Sequence, residues 1–232
     1  MKTQEIRIGH IPAVLWGDGT GRLMIAVHGS HSSKRDECIR IAAEEGMARG
    51  YQVLSFDLPQ HGERAGGPEA CTAGVCIGEL QAVLRFARQD ARRVSLFACS
   101  MGAFFSLLAY GQERLEKAWL LSPVFDMASV IRGMMASCGV SEDELKERGV
   151  VRTPDETLYW DDYQFLLGHP VRLWETPAFI LRGEGDRLCD GQTAARFALR
   201  FCCELTEQPG GKHWFHTDEQ LAFFRSWLKE RL

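Results

Sequence analysis

The sequence has no marked excess of charge of either sign. Its 232 residues include 27 Lys and Arg against 31 Asp and Glu, which gives a net charge of −4. The basic residues are scattered along the chain, whereas binding to a phosphate backbone needs them clustered on one face. We therefore expect no nucleic-acid partner. The proportions of hydrophobic residues (45%) and charged residues (25%) are those of an ordinary globular protein.

The sequence also lacks the motifs that hold common cofactors. There is no P-loop, no G-x-G-x-x-G after a predicted strand, and no cysteine or histidine spacing typical of a zinc site. A nucleotide-binding α/β protein would carry a glycine-rich phosphate loop after its first buried strand, and this chain carries His28-Gly29-Ser30 there. We expect neither an organic cofactor nor a metal.

The eight cysteines do not follow the pattern of a secreted disulfide protein. Most lie within apolar segments and none form a C-x-x-C motif, which is typical of buried thiols in a reducing compartment. Residues 1–17 alternate polar and apolar side chains and lack the continuous apolar segment of a signal peptide. These features predict a cytoplasmic protein.

One uncharged segment, residues 94–112, is long enough to cross a bilayer. Serines and glycines interrupt it, and its pattern changes from strand-like to helix-like at Ser100. A buried strand followed by a helix explains it better, so we predict no membrane span.

Predicted strands and helices alternate along most of the chain. Continuous apolar runs at residues 23–27, 94–98 and 178–181 indicate strands that are covered on both faces. The alternation favours an α/β fold, with a mostly parallel central sheet and helices on both faces. The length fits a single domain over residues 1–232.

The exception to this alternation is residues 126–175. This stretch combines helical pieces, a charged segment and an aromatic cluster, and it is too long for a simple connection. We predict an inserted helical cap. Aromatic residues in this cluster and behind Ser100 suggest an apolar acyl pocket, although such spacing is more often that of core residues: Phe104, Phe105, Tyr159, Trp160, Tyr163 and Phe165.

Residues 94–103 carry the strongest signal for chemistry. A buried strand runs into Ser100 and then into a helix, and the residues two before and two after the serine, Ala98 and Gly102, are small. A sharp strand-to-helix turn of this kind exposes a serine hydroxyl, because small neighbours let the two elements pass close together. The usual pattern has glycine at both positions, so Ala98 is a departure that keeps the side chain small. The segment predicts a nucleophilic serine.

A carboxylate and a histidine follow in the order that such a serine needs. Asp186 comes directly after the strand at residues 178–181, and His213 lies in a glycine-containing loop after the last predicted strand, 204–208. Parallel strands end at one edge of the sheet, so all three groups can meet there. We predict a triad in which Ser100 is the nucleophile, His213 its base, and Asp186 orients the base.

On these residues the chain resembles the α/β-hydrolase superfamily, over almost its whole length outside 126–175. The resemblance implies an oxyanion hole formed by the backbone N–H groups of Ser30, which follows His28-Gly29, and Met101. It also implies that His61, in a loop similar to the D-x-x-x-H-G loop of the superfamily, and His28 belong to the scaffold or line the pocket rather than act as bases. The dienelactone hydrolase branch has cysteine at the nucleophile position, where this chain has Ser100.

Each of the three roles in the predicted triad has a competing residue. Asp126, which follows the predicted strand at 119–121, is an alternative acid that some branches of the superfamily use, and Asp190 is less well placed. His216 lies near His213 but next to the start of the last helix, and the thiol of Cys99 is expected to point into the core.

These features predict a serine hydrolase that cleaves carboxylic esters or thioesters of small to medium acyl substrates. A small-peptide or amide hydrolase with the same triad is an alternative. A catalytically silent relative that binds a small molecule or a protein is an alternative of another class, although such relatives usually lose a triad residue. The expected partner is a small-molecule acyl substrate, and the sequence leaves open whether the chain forms a homo-oligomer.

Overall fold

A computed structural model describes residues 2–19, 21–154 and 156–232 of the chain. Its main sheet contains eight strands in the described residues. They are β1 (Thr3–Ile8), β2 (Ile11–Trp16), β3 (Arg22–Val27), β4 (Gln52–Phe56), β5 (Arg93–Cys99), β6 (Ala118–Leu121), β9 (Ala178–Gly183) and β10 (Glu204–Gln208), while β7 (Val150–Arg152) and β8 (Thr157–Tyr159) form a separate hairpin. The helices are α1 (Glu37–Ala48), α2 (Ala73–Asp90), α3 (Ser100–Tyr110), α4 (Met127–Cys138), α5 (Glu142–Arg148), α6 (Trp160–Gly168), α7 (Gly191–Phe201) and α8 (Asp218–Arg231).

The order of strands in the main sheet is β1-β2-β4-β3-β5-β6-β9-β10. In this order, each strand from β4 through β3, β5, β6 and β9 to β10 is parallel to the next one. Strand β2 is antiparallel to both of its neighbours. The predicted α/β fold with a mostly parallel sheet is therefore confirmed. The chain leaves β3 towards β4 and returns on the other side of β3 to form β5, and binding sites of open α/β sheets lie at such reversals.

Side chains of the central strands alternate between two buried faces, as a period of two requires. Leu96 and Ala98 of β5 pack on the face covered by α2, α3 and α7. Phe97 points to the opposite face, which α1 and α8 cover. Burial on both faces explains why these strands appear in the sequence as continuous apolar runs.

The insertion at residues 126–175 contains more than the helical pieces expected from the sequence. It holds α4, α5 and α6, together with the hairpin formed by β7 and β8. The hairpin strands have three residues each, which is too short for an alternating pattern to stand out from its surroundings.

The uncharged segment 94–112 is divided between β5 and α3, as predicted. Among the helices of the described residues, none combines the length and the apolar character needed to cross a bilayer.

The turn from β5 into α3 depends on a glycine. A Cβ atom added at Gly102 would lie 2.1 Å from the carbonyl oxygen of His28 and 2.9 Å from a methyl group of Val27. The backbone after β3 therefore lies directly against the first turn of α3, and only a residue without a side chain fits between them.

We expect Gly102→Ala to lower the free energy of unfolding by about 3 kcal/mol or more, because the added methyl group must displace backbone rather than a flexible side chain. Urea titration followed by circular dichroism measures the loss. The matched control is Gly133→Ala in the interior of α4, where an added Cβ meets nothing within 4 Å. It should be neutral or stabilising by roughly 0.5 to 1 kcal/mol. Equal stability of Gly102→Ala and the wild type would contradict the close approach.

Candidate active site

Ser100 lies at the carboxyl end of β5 with a backbone φ of +48°. This left-handed conformation is uncommon for residues other than glycine and costs of order 1–3 kcal/mol, so the surrounding structure must hold it in place. The conformation turns the hydroxyl away from the sheet and towards the loop after β10. There the Oγ atom of Ser100 lies 2.8 Å from Nε2 of His213.

Two neighbouring loops packed against each other hold His213 and Asp186. A Cβ atom added at Gly183, the last residue of β9, would lie 2.3 Å from the carbonyl carbon of Gly211. The N–H of Gly185 also donates to the carbonyl oxygen of Gly211, at 2.8 Å. These contacts fix the loop of the histidine against the loop of the carboxylate.

The carboxylate of Asp186 is fully buried and faces the imidazole. Nδ1 of His213 lies 2.9 Å from Oδ1 and 2.8 Å from Oδ2. Oδ1 also accepts hydrogen bonds from the N–H groups of Leu188 and Cys189, each at 2.9 Å. These bonds to backbone donors stabilise the charged carboxylate and fix its orientation.

Arg182 supports the same loop, and no motif in the sequence indicates this role. Its buried guanidinium donates from Nε to the carbonyl oxygen of Cys189, at 2.8 Å, and from Nη2 to that of Asp186, at 3.1 Å. It also forms an ion pair with Glu207 on β10. An arginine within a strand carries no local signal for this role, since its partners are backbone atoms of a loop that follows.

Hydrogen bonding assigns one tautomer to His213. The carboxylate of Asp186 can only accept, so Nδ1 carries the proton and donates it, and Nε2 is left to accept from the hydroxyl of Ser100. An imidazole in this state can remove the hydroxyl proton as the oxygen attacks an electrophile.

The two residues expected to form an oxyanion hole lie on either side of Ser100. Met101 follows it in the first turn of α3. Ser30 follows Gly29, where an added Cβ atom would lie 3.0 Å from Cβ of Ser100 and 3.7 Å from its Oγ. The turn after β3 therefore runs directly past the hydroxyl of Ser100.

The competing acids have other roles in the structure. The side chain of Asp126 accepts from the N–H of Ser129, at 2.9 Å, and begins α4. The side chain of Asp190 accepts from the N–H of Thr193, at 3.0 Å, and begins α7. Both are N-caps, for which aspartate is a preferred residue.

The competing base and nucleophile also lie apart from the relay. His216 is exposed and pairs through Nδ1 with the carbonyl oxygen of Trp214. Cys99 packs on the sheet face covered by α1 and α8, and burial raises the pKa of its thiol well above the usual range.

His28 is fully buried, and both of its ring nitrogens bind backbone atoms. Nδ1 donates to the carbonyl oxygen of Gly29, at 2.7 Å, and Nε2 accepts from the N–H of Leu58, at 3.0 Å. Burial lowers its pKa from 6.5 to about 4. The structural role expected of His28 agrees with these contacts, because a neutral imidazole with both nitrogens occupied is not available as a base.

His61 and Cys71 form a second polar cluster near the site. Nδ1 of His61 donates to the carbonyl oxygen of Pro59, at 2.7 Å. Sγ of Cys71 lies 3.7 Å from Sγ of Cys76. The hydrogen bond with Cys76 lowers the pKa of the Cys71 thiol below its usual range against the opposing effect of burial, and His61 lowers it further. No local motif in the sequence indicates this thiol, because its partners come from a loop and a helix.

A cavity of about 830 Å³ opens beside the turn that carries Ser30, and polar groups line most of it. The lining includes His31, Gln60, His61, Arg152, Glu156 and Tyr159. Of the aromatic residues expected around an acyl pocket, Phe105 and Tyr163 are buried in the core and Tyr159 lines this polar cavity. A second cavity, of about 520 Å³, lies between α4, α6 and α7 and contains Phe104, Phe125 and Phe197 in its wall.

Within residues 2–19, 21–154 and 156–232, no group of three or more His, Cys, Asp or Glu side chains is arranged to hold a metal ion. The candidate site therefore consists of a serine, a histidine and a carboxylate in one hydrogen-bonded relay, next to a polar cavity. A sheet of this topology with such a relay at its carboxyl edge is the architecture of a hydrolase.

The comparison with protein families gives the same class. The model described as the alpha/beta hydrolase family matches residues 24–226. The chain belongs to this family and is a hydrolase. No curated protein sequence matches it.

Solved structures with the same fold cover almost the whole chain. Est1E from Butyrivibrio proteoclasticus, in complex with ferulic acid, superposes with a TM-score of 0.79 at 19% identity, covering 98% of this chain and 97% of its own. Alpha/beta hydrolase domain-containing protein 10 from mouse has a TM-score of 0.77 at 15% identity, with coverages of 100% and 98%. An esterase from Pyrococcus furiosus has a TM-score of 0.72 at 20% identity, with coverages of 99% and 89%. At these identities the likeness is one of fold.

We expect His28 to make the protein less stable in acid. The pKa of His28 is about 4 in the folded protein and 6.5 for an unperturbed histidine, as in the unfolded chain. Between these pH values the unfolded state binds the proton and the folded state does not. Stability then falls as the pH is lowered through this window, by about 2 kcal/mol from pH 7 to pH 5. Urea unfolding of His28→Asn at both pH values should show a pH-dependent loss smaller by this amount.

The exposed His169 supplies the matched control for this experiment, and His169→Asn should retain the pH-dependent loss of the wild type. An unchanged loss in His28→Asn would contradict the assignment. If that variant does not fold, the NMR titration of His28 in the wild type gives the same answer, because its imidazole should remain neutral at pH 5.5.

We expect Cys71 to react with iodoacetamide at pH 7 severalfold faster than the exposed Cys138 and Cys202, because the thiolate is the reactive form and the lowered pKa increases its fraction. Timed alkylation with mass spectrometry of the peptides measures the order. His61→Asn should slow the reaction, and the exposed control His169→Asn should leave it unchanged. Faster alkylation of Cys138 and Cys202 would show that Cys71 is not activated.

Proposed function

We propose that this protein is a serine hydrolase that cleaves carboxylic esters or thioesters of small to medium acyl substrates. Ser100 is the nucleophile, His213 the general base and Asp186 the residue that orients the base. The backbone N–H groups of Ser30 and Met101 form the oxyanion hole. The observation that carries this proposal is the relay of hydrogen bonds from Ser100 through His213 to Asp186.

In the first half of the reaction, Ser100 attacks the carbonyl carbon of the substrate. A serine hydroxyl is a weak nucleophile at neutral pH, so Nε2 of His213 takes its proton as the new C–O bond forms. The imidazolium that results is stabilised by the buried carboxylate of Asp186, which keeps its charge throughout. The same proton is then given to the leaving group, which departs and leaves an acyl-enzyme.

The negative charge that forms on the carbonyl oxygen needs donors that are already in position. The N–H of Met101 lies in the first turn of α3, where the dipole of the helix adds to its effect. The N–H of Ser30 approaches from the turn after β3. Each such donor typically contributes about 3 to 4 kcal/mol to the transition state. Water then attacks the acyl-enzyme with His213 again as the base, and the acid product leaves.

Esters and thioesters are the first choice of substrate because their leaving groups need the least assistance from the protein. The esterase from Pyrococcus furiosus among the solved structures of the same fold supports this order. Small peptides or amides are the second candidate, because the same relay can protonate an amine leaving group. A catalytically silent binding protein is disfavoured because the three side chains lie at hydrogen-bonding distances.

We further propose that residues 126–175 act as a cap within a single domain that spans residues 1–232. The insertion reaches the candidate site directly, since Glu156 accepts a hydrogen bond from the hydroxyl of Ser30, at 2.6 Å. Part of the substrate cavity would then be formed by the insertion and part by the loops at the sheet edge.

We expect the wild type to be labelled by a fluorophosphonate probe at Ser100 and to hydrolyse short and medium 4-nitrophenyl esters. Ser100→Ala should abolish the labelling and lower kcat/KM by about 10³-fold or more, and Asp186→Asn should lower it by a similar factor because the histidine loses its orientation. Mass spectrometry of the modified peptide identifies the labelled residue.

Asp126→Asn is the matched control for the acid, because asparagine preserves the N-cap of α4 and this variant should retain activity. Activity that is lost in Asp126→Asn but kept in Asp186→Asn would show that the acid is Asp126, after β6, and not Asp186, after β9. Absence of labelling in folded wild-type protein, or labelling that survives Ser100→Ala, would overturn the proposed nucleophile and favour the silent binding protein.

A further inference from the structure

The insertion places one carboxylate beside the proposed oxyanion hole. Glu156 lies between the hairpin strands β7 and β8, and Oε1 of its side chain accepts from Oγ of Ser30, at 2.6 Å. Thr153 holds the backbone of this residue, since its Oγ1 donates to the carbonyl oxygen of Glu156, at 2.8 Å, and accepts from its N–H, at 3.0 Å. The carboxylate is therefore fixed in position rather than carried on a free loop.

A negative charge at this position opposes the proposed reaction. Charge of the same sign would develop on the substrate oxygen held by the N–H of Ser30, the residue whose hydroxyl binds this carboxylate, and like charges in a partly buried site repel. Such an arrangement disfavours neutral substrates. The repulsion is offset when the substrate itself brings a positive charge that lies against the carboxylate.

In the described part of the chain the basic groups near Glu156 are two imidazoles, those of His31 and of His61, and Glu156 helps to raise the pKa of His61. The basic group nearest to Glu156 is Nε2 of His31, at 3.5 Å, and the His31 side chain is 69% exposed. Within the described residues, no Lys or Arg nitrogen lies within 4.0 Å of the carboxylate. Arg152 lines the same cavity without reaching this distance.

Space for a ligand group lies next to the carboxylate. The side chain of Glu156 is 30% exposed, and it faces the polar cavity of about 830 Å³. Gln60 and Tyr159 also line this cavity and can donate or accept hydrogen bonds. The cavity is thus large enough for the part of a substrate that extends beyond the scissile bond.

We propose that Glu156 is a specificity-determining residue that binds an ammonium group on the substrate, so that the enzyme prefers esters or amides carrying a positive charge close to the scissile carbonyl. This inference rests on the proposed function, because the ammonium group is located relative to the acyl group on Ser100. A neutral hydroxyl could also donate to Glu156, but it would leave the repulsion with the oxyanion uncompensated.

A purely structural role is the competing explanation, in which Glu156 only ties the hairpin to the turn after β3. Glu156→Gln separates the two roles. Glutamine keeps an oxygen that can accept from Ser30, and it removes the negative charge. A structural role therefore predicts little change or an equal change for all substrates, and the proposed role predicts a loss for charged substrates that neutral substrates do not share.

Two pairs of esters test the preference, each pair matched in shape and different in charge. The butyrate ester of choline is compared with that of 3,3-dimethylbutanol, which places the charge on the leaving group. The 4-nitrophenyl ester of 4-(trimethylammonio)butanoate is compared with that of 5,5-dimethylhexanoate, which places the charge on the acyl group; the quaternary nitrogen cannot cyclise onto its own ester. Initial rates give kcat/KM for wild type, Glu156→Gln and Glu147→Gln. The last is the matched control, an exposed glutamate of α5 outside the cavity wall.

We expect the wild type to favour the charged member of at least one pair by roughly five- to tenfold. In Glu156→Gln this ratio should fall to about one, because the charged ester loses its partner and the neutral ester is freed from the repulsion, and Glu147→Gln should keep the ratio of the wild type. Absence of a preference in the wild type, or equal losses for both members in Glu156→Gln, would overturn the inference. Fluorophosphonate labelling at Ser100 without hydrolysis of any of these esters would also overturn it and leave the proposed nucleophile standing, whereas absence of labelling would reject both.

Discussion

The close contact between the turn after β3 and the first turn of α3 is the constraint on which the candidate site depends. β3 and β5 are parallel neighbours that end side by side, with Val27 paired to Ala98. The chain after β5 can enter a helix there only if Ser100 takes a left-handed conformation and Gly102 lies beneath the carbonyl oxygen of His28. This geometry turns the hydroxyl outward. It also brings Gly29 and Ser30 beside it, so the proposed nucleophile and oxyanion hole are positioned together.

Much of this arrangement could be predicted from the sequence because the signals are local. Buried parallel strands appear as apolar runs, and small residues on both sides of Ser100 mark a tight strand-to-helix turn. Asp186 and His213 follow predicted strands directly, so their edge of the sheet could be inferred without knowing the order of the strands. Their hydrogen bonds could not be inferred, because these depend on the packing of Gly183 against Gly211.

The parts that could not be predicted depend on contacts between distant segments. Glu156 meets Ser30 across 126 residues of sequence, and neither neighbourhood contains a motif that indicates the pair. Arg182 appears in the sequence as one charged residue at the end of a strand, although it supports the loop of Asp186 through backbone oxygens. The expectation of an apolar acyl pocket rests on aromatic spacing alone. Such spacing does not distinguish core residues such as Tyr163 from residues that line a cavity such as Tyr159.

The place where residues 126–175 leave the sheet has a consequence for how this enzyme can diversify. The insertion departs after β6 and returns at β9, and these two strands are direct neighbours in which Leu121 pairs with Leu181. Because the two strands are parallel, the insertion leaves at the carboxyl edge of the sheet and must cross back to the amino edge, so the sheet holds its two ends at fixed positions on opposite edges. Doubling the length of such a loop adds only about 0.6 kcal/mol of closure entropy. The segment can thus be lengthened at little entropic cost, provided that it still crosses from one edge of the sheet to the other, while the sheet and the loops of the proposed triad are retained.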